Sequence, residues 1–242
     1  MGDQNPAATT PDRESAVPPW ARPRVAGRPP LTREEIVDAA VSLADAEGLP
    51  AVSIRRVAAV LSARPMSLYS HFDRKDDLLA LMHDRVTAEV LVPEPLPADW
   101  RAALRAIAHH TRQTCLRHPW LLQTQAGATR LGPNALRHAE QSAAAVAGLP
   151  LTPARRIALL CAVDTYTFGQ VGIELRERLT ERDQDQLTAY LDSMINSGEY
   201  PHLARLPRQE LLALGYQAEQ SFDEGLGWLL AGVAASLGVA RS

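Results

Sequence analysis

The chain has 242 residues, of which 46% are hydrophobic and 5% aromatic, and its formal net charge is −3. This length can supply the cores of a small domain and one larger domain, and the scarcity of aromatic residues beside abundant alanine and leucine favours helices over sheet. The acidic balance argues against a protein that coats nucleic acid indiscriminately. No stretch reads as a membrane span or signal peptide, so we expect a cytoplasmic protein without a membrane partner.

The first thirty residues contain seven prolines and no apolar periodicity. This composition predicts a disordered arm over residues 1–30. From Ser15 to Arg33 the sequence has four arginines, Arg28 among them, and no acidic residue. The arm therefore carries a local positive charge that suits a polyanionic partner.

Residues 31–75 predict three short helices. Thr32 can cap the first helix, which Gly48 ends as a left-handed residue. Ser53 can cap the second, and after a short break at 62–64 Pro65 takes the first position of the third. Two helices joined by so tight a turn cross steeply, which is the helix-turn-helix arrangement.

The third helix divides its side chains between two roles. Leu68 and Phe72 lie one helical turn apart and can anchor it to the first two helices. A short helix that presents small and polar groups fits the major groove of DNA, whereas the alternative is a surface helix of an ordinary bundle. The side chains predicted to project outward are Pro65, Met66, Ser67, Tyr69, Ser70 and His71.

A connecting helix is predicted over residues 76–92, and the prolines between Pro93 and Pro97 mark a domain boundary. Residues 93–242 then form the larger domain. Caps, prolines and apolar periodicity place four helices in it. They run from Trp100 to about Arg117, from Pro133 to Gly148, from Pro153 to about Leu179 and from Phe222 to Leu237.

The polar residues of the larger domain give no sign of catalysis. Asp164 lies within the most apolar helix and needs a partner there, so it either makes a structural hydrogen bond or contacts a ligand. Cys115 and Cys161 are expected to be buried small residues, with redox sensing as the minority alternative. Adjacent His109 and His110 lack the spacing of a metal site on one helical face. We predict no enzyme, no metal and no cofactor.

The helix-turn-helix segment resembles the DNA-binding head of the TetR family, and Asp99, Trp100, His118 and the run 166–169 resemble the tetracycline-repressor subgroup. The resemblance implies an all-α fold with an N-terminal three-helix helix-turn-helix head and a larger C-terminal helical domain for ligand binding and dimerisation. It also implies a homodimeric repressor that leaves a palindromic operator when a small-molecule effector binds.

Matching this family residue by residue implies a DNA-contacting set. Ser53 would touch phosphate, Arg55 a base, and Lys75, the only lysine of the chain, a backbone phosphate. Ser62 replaces the usual glycine of the turn, and Arg64 replaces the usual capping residue, so that Arg64 is free to contact guanine or phosphate. The full set is Arg28, Thr32, Ser53, Arg55, Arg64, Pro65, Met66, Ser67, Tyr69, Ser70, His71 and Lys75.

The same matching implies ligand and dimer positions. Gln125 and Thr165 stand where the tetracycline repressor has histidines, so a metal-chelated tetracycline is not the implied effector. The effector-facing residues would be Ile107, Thr111, Gln125, Gln141, Thr165 and Phe168, with Asp164 as a candidate beside them. The dimer interface would include Phe222, Leu226, Leu229 and Val233.

Three alternatives remain open from the residues. The protein could be an activator, a general nucleoid-binding protein, or a helical small-molecule-binding or catalytic protein with an incidental head.

Overall fold

The computed structural model describes residues 31–124, 131–175, 181–207 and 218–238, and in these ranges the fold is all-α, with nine helices and no strand. The predicted arm with Arg28, as well as Gln125, lies outside them. None of the described helices is long and apolar enough to span a membrane. The helices are α1 (Arg33–Glu47), α2 (Ile54–Val60), α3 (Pro65–Leu68), α4 (Lys75–Thr87), α5 (Trp100–Arg117), α6 (Pro133–Val146), α7 (Pro153–Glu174), α8 (Glu181–Asn196) and α9 (Ala218–Ser236).

The caps of the first helices confirm the sequence predictions. The Thr32 hydroxyl accepts the Glu35 N–H at 3.1 Å, and the Glu35 carboxylate accepts the Thr32 N–H at 2.7 Å, a reciprocal capping box. The hydrogen bond from the Thr32 backbone lowers the pKa of Glu35. Ser53 caps α2 by accepting the Arg56 N–H at 3.3 Å. Pro65 begins α3, and Arg64 supplies no side-chain cap.

The core of the head confirms the predicted anchors of the third helix. Leu68 and Phe72 are both buried, and they belong to the same apolar cluster as Ile36 of α1 and Val57 of α2. Burial of a side chain of this size contributes about 1.5–3 kcal/mol. A four-residue helix makes too few backbone bonds to be stable alone, so these anchors hold α3 in place.

Two backbone details of the head depart from common patterns. Ser62 takes φ 52° in the turn between α2 and α3, a left-handed conformation that glycine adopts more easily. Gly48 has φ 82° and ψ 162°, which corrects the left-handed C-cap predicted there. The positive φ still requires glycine, while the extended ψ turns the chain into the short 3-10 turn Leu49–Ala51.

The connecting helix is shorter than predicted. α4 ends at Thr87, and residues Ala88–Val90 form a 3-10 turn in place of the continuous helix expected to 92. The Thr87 hydroxyl donates to the His83 carbonyl at 2.8 Å, a local bond that bends helices, and the prolines then prevent further helix. α6 similarly ends at Val146 rather than Gly148.

Apolar packing continues across the predicted domain boundary. Leu78 and Met82 of α4 are completely buried in a cluster that joins the head to Cys115 of α5 and Trp120. A second cluster lies between α5, α6, α7 and α9 and includes Phe222. The division of the chain at 93–97 remains a prediction, because the packing alone does not separate the two parts.

The remaining helices contain one element that the sequence analysis missed. α8 (Glu181–Asn196) was not predicted, and it packs against the short turn Leu203–Arg205. α7 ends at Glu174, with Leu175 as its C-cap, which corrects the predicted end near Leu179. Cys115 is buried as expected, and burial raises the pKa of its thiol to about 12. Cys161 is exposed on α7, which corrects its expected burial.

Replacing Ser62 by glycine should stabilise the head. We expect Ser62→Gly to raise the free energy of unfolding by about 0.5–1 kcal/mol, because relief of the left-handed strain exceeds the added entropy of the unfolded chain. Denaturant unfolding measures the change. The matched control, Ser42→Gly within α1, should lower stability by roughly 0.5 kcal/mol, and equal effects at the two sites would contradict the strain at Ser62.

Candidate nucleic-acid interface and C-terminal site

The exposed surface of α3 is formed by the residues that the sequence predicted. Met66 is 76% exposed and Tyr69 45%, and Arg64 and Pro65 are also exposed. The Ser67 hydroxyl donates to the Arg64 carbonyl at 2.7 Å, and the Ser70 hydroxyl donates to the Ser67 carbonyl. Both serine oxygens retain acceptor capacity. The surface can therefore offer apolar, donor and acceptor groups to base edges.

His71 is less accessible than its neighbours. Its ring is half-buried, and Nε2 lies buried without a hydrogen-bond partner among the described residues. Burial lowers the pKa of His71, and the nearby charge of Arg33 lowers it further. The ring is therefore a neutral group near pH 7, suited to a hydrogen bond rather than to a phosphate ion pair.

The basic side chains of the head fall into two groups. Arg56 is paired with Glu47, whose pKa this hydrogen bond lowers, and Arg85 contacts Asp38 at 3.0 Å. Carboxylates neutralise these two arginines. The second group consists of exposed side chains that form no ion pair with any described residue, namely Arg55, Arg64, Arg74 and Lys75.

The predicted effector residues occupy different environments. Ile107 and Thr111 are buried on α5, where the Thr111 hydroxyl donates to the Ile107 carbonyl at 2.9 Å. Phe168 is partly buried on α7 against the cluster that joins the head to α5. Asp164, on the same helix, is partly buried, and burial raises the pKa of its carboxyl to about 6. All four side chains belong to α5 or α7, two helices that contact each other.

Gln141 and Thr165 were predicted to face the effector together with these residues, but the structure places them differently. The Gln141 amide both accepts the Val92 N–H at 3.0 Å and donates to the Val92 carbonyl at 2.8 Å, so it fastens α6 to the segment after α4. Thr165 is exposed on the side of α7 opposite the buried Val163 and Thr167. That orientation argues against a place for Thr165 in the interior of the subunit.

The predicted dimer residues require a correction. Phe222 and Leu226 of α9 are completely buried within the subunit and have no surface left for a partner chain. Leu229 and Val233 are partly buried, and their role remains a prediction. The exposed face of α9 instead carries Trp228, which is 70% exposed.

Several polar contacts were not anticipated from the sequence. Arg112 of α5 forms a nearly buried bidentate pair with Glu174 of α7, with both N–O distances 2.9 Å. The His109 Nε2 lies 2.6 Å from the Asp223 carboxylate of α9. The sequence signal that could have predicted the Arg112 pair is the position of Arg112, four residues after Ala108 on the apolar stripe of α5, where a buried charge must find a partner. Within the described ranges no cluster of His, Cys, Asp and Glu could hold a metal ion.

α4 is fastened to the first turn of α6. The Asp84 carboxylate accepts the N–H groups of Asn134 at 2.9 Å and Ala135 at 3.3 Å, which serves as a cap supplied from another helix. Gly132 lies so close that a Cβ atom there would overlap the Asp84 carboxylate. α4 thus connects to α6 through a specific polar contact as well as through packing.

A helix-turn-helix head with a free basic set, joined to a larger helical domain, defines a DNA-binding regulator. The model for tetR-type bacterial regulatory proteins matches residues 36–82, and the model for the tetracyclin repressor-like C-terminal domain matches residues 92–237. The chain belongs to the TetR family of transcriptional regulators.

Two relatives and one solved structure illustrate the similarity. The HTH-type transcriptional repressor DrrR1 of Streptomyces coeruleorubidus is 37% identical over 76% of this chain and 72% of its own. An HTH-type transcriptional regulator of Saccharopolyspora erythraea is 34% identical over 91% of this chain and 92% of its own. The TetR family protein ActR of Streptomyces coelicolor, in complex with actinorhodin, matches with a TM-score of 0.76 and 30% identity, over 88% of this chain and 100% of that one.

The partly buried carboxyl of Asp164 makes folding stability depend on pH. Its pKa is raised from 3.8 to about 6 on folding, so the unfolded chain releases the proton first and folding stability falls as the pH rises through this window. We expect Asp164→Asn to be more stable than the original chain by about 2–3 kcal/mol at pH 7, with no difference below about pH 4. Unfolding measured from pH 4 to 7.5 tests this.

The matched control is Asp185→Asn on the exposed surface of α8. Asp185→Asn should not reproduce the gain in stability at pH 7, because no burial penalty is removed. A stability difference for Asp164→Asn that does not change with pH would show that the carboxylate finds compensation in the folded protein.

Proposed function

We propose that the protein is a homodimeric repressor, acting on DNA in the cytoplasm, that binds a palindromic operator and is released from it by a small-molecule effector. The observation that carries this proposal is α3, a four-residue helix held by the buried Leu68 and Phe72 with an exposed tip at Met66 and Tyr69. A helix presented in this way suits the major groove. The name of the related DrrR1 supports repression rather than activation.

The proposed contacts of individual side chains with DNA follow from their exposure and charge. Met66 and Tyr69 would contact base edges, with the apolar methionine suited to a thymine methyl group. Lys75 would bind phosphate at the start of α4, where a helix N-terminus also favours an anion. Arg55 and Arg64 would complete the contacts, while Arg56 would stay with Glu47.

The proposed dimer uses the outer faces of α7 and α9. Ile157 of α7 is 63% exposed and Trp228 of α9 is 70% exposed, which is unusual for large apolar side chains unless a partner covers them. The surrounding exposed residues are small and would allow helices to approach closely. They are Ala158, Cys161, Ala162, Gly169, Ala231, Gly232 and Ala235. A two-fold dimer would place two heads on the two half-sites of a palindrome.

The proposed effector site lies between α5 and α7, around Thr111, Asp164 and Phe168. ActR is described in complex with actinorhodin and also with (S)-DNPA, which supports an organic small molecule as the effector class. Asp164 would accept a hydrogen bond or balance a positive charge on that molecule. Release requires the effector to bind the conformation that does not fit DNA more tightly, because equal affinity for both conformations would shift nothing.

Selection of bound sequences from random duplex DNA tests the function. With purified protein at physiological salt, the proposal expects a short palindrome that is bound more tightly than bulk DNA. Addition of actinorhodin to the complex then tests that probe as an effector. Recovery of no preferred sequence, together with turnover of a small molecule in the absence of DNA, would favour a catalytic protein with an incidental head.

The two adjacent arginines of α2 should differ in their effect on DNA binding. We expect Arg55→Ala to weaken binding to the selected palindrome by about tenfold and to relax the preference at one base pair, as loss of a base contact does. Arg56→Ala is the matched control and should cost less than about threefold, because Glu47 already neutralises that side chain. Fluorescence anisotropy titrations measure both, and equal losses would contradict the assignment.

A charge on the outer face of α9 should separate the subunits. We expect Trp228→Glu to sediment as a monomer and to lose the preference for a palindrome over a single half-site, because an unpaired carboxylate would be buried in the interface. Leu136→Glu on α6, which removes another exposed large apolar side chain, should remain dimeric. A dimeric Trp228→Glu protein would place the interface elsewhere.

A further inference from the structure

Besides the connection through α4, the head contacts the C-terminal part of the chain directly, through hydrogen bonds made by α1. Near its end, one oxygen of Asp45, Oδ1, lies 2.7 Å from His118 Nδ1 and 2.7 Å from Trp120 Nε1. His118 follows the last residue of α5, and Trp120 belongs to the 3-10 turn Pro119–Thr124. A carboxylate only accepts hydrogen bonds, so His118 Nδ1–H and Trp120 Nε1–H each donate to Asp45.

The same histidine continues the network to the end of α4. His118 Nε2 lies 3.3 Å from Glu89 Oε2, and Arg117 contacts that carboxylate oxygen at 3.2 Å. The side chains of His118 and Trp120 are nearly inaccessible, whereas those of Asp45 and Glu89 are partly exposed. Residues of α1, the segment after α4 and the end of α5 therefore meet at one imidazole ring.

The Asp45 contacts and α4 together constrain the orientation of the head more than α4 alone does. With α4 alone, the head would be joined to the larger domain through a single helix and could rotate as that helix bends. Asp45 lies on a different helix, so its contacts with His118 and Trp120 oppose that rotation. Hydrogen bonds to a charged partner are also shorter and stronger than neutral ones.

We propose that Asp45, His118 and Glu89 form an orientation latch that fixes each head on its C-terminal domain and thereby sets the spacing of the half-sites that the protein accepts. The inference rests on the proposed function, since only a dimer on a palindrome has a half-site spacing. The three residues are positioning residues and touch no DNA. Removal of the latch leaves α3 intact but lets each head rotate, so the two recognition helices tolerate several separations.

The test compares binding to the selected palindrome with binding to duplexes whose half-sites are moved one or two base pairs apart or together. We expect the original chain to lose about tenfold or more in affinity on each altered spacing. Asp45→Asn removes the carboxylate and should lose less than about threefold on the same duplexes. Its affinity for an isolated half-site should equal that of the original chain.

The matched control is Asp38→Asn, also on α1, which breaks the exposed ion pair with Arg85 of α4 without touching the latch. It should keep the original spacing profile. Glu89→Gln keeps the bonds of Asp45 to His118 and Trp120, so it serves as the second variant should Asp45→Asn fail to fold, and it should relax the profile partially.

The outcomes separate the latch from a purely structural role and from the proposed function. An Asp45→Asn protein with the original spacing profile, or one that loses affinity equally on every duplex, would overturn the latch. Absence of any preferred palindrome for the original chain would overturn the proposed function itself, independently of the variants.

Discussion

The structure depends on the burial of one face of α4. Leu78, Met82 and Val86 are completely inaccessible there, and they pack in the same cluster as the core of the head and as Trp120 after α5. Removing three such side chains from water contributes several kcal/mol, and separation of the head from the C-terminal helices would re-expose part of that surface. The position of α3 is therefore fixed indirectly, through α1 and α4, to helices that are distant in sequence.

Polar contacts give this shared core a defined geometry. Asp84 fixes α4 to the first turn of α6, and Gln141 fixes α6 to Val92 just beyond the same helix. Apolar packing alone tolerates small sliding motions, whereas hydrogen bonds with fixed directions do not. In the proposed regulator, an effector that moves α6 would thus displace the C-terminal end of α4, and the head would follow.

The sequence predicts the head better than the larger domain because its signals are local. Thr32, Ser53 and Pro65 mark helix starts through backbone groups within a few residues, and the anchors Leu68 and Phe72 follow from one turn of periodicity. Helix α5 was predictable for the same reason, from the Asp99 cap and its apolar stripe.

The orientation of helices in the larger domain requires information that periodicity does not contain. An apolar stripe shows that Phe222 and Leu226 are covered, but it does not say whether the cover is the same subunit or a partner. Likewise, the sequence shows that Gln141 is polar, but it does not show that the side-chain amide is already hydrogen-bonded to the backbone of Val92. α8 was missed although its apolar residues recur at helical spacing, so the pattern was present in the sequence and went unused. Tyr190 on this helix is nevertheless exposed in the subunit.

Amide hydrogen exchange on the complete protein tests the central claim, that the head and the C-terminal helices are one mechanical unit. The account predicts that the buried amides of α1, α4 and the end of α5 open with the same free energy, as parts of one cooperative core. Exchange of α1–α3 at a clearly lower opening free energy than α5 would contradict it, because the head would then unfold or detach independently of the domain that is proposed to control it.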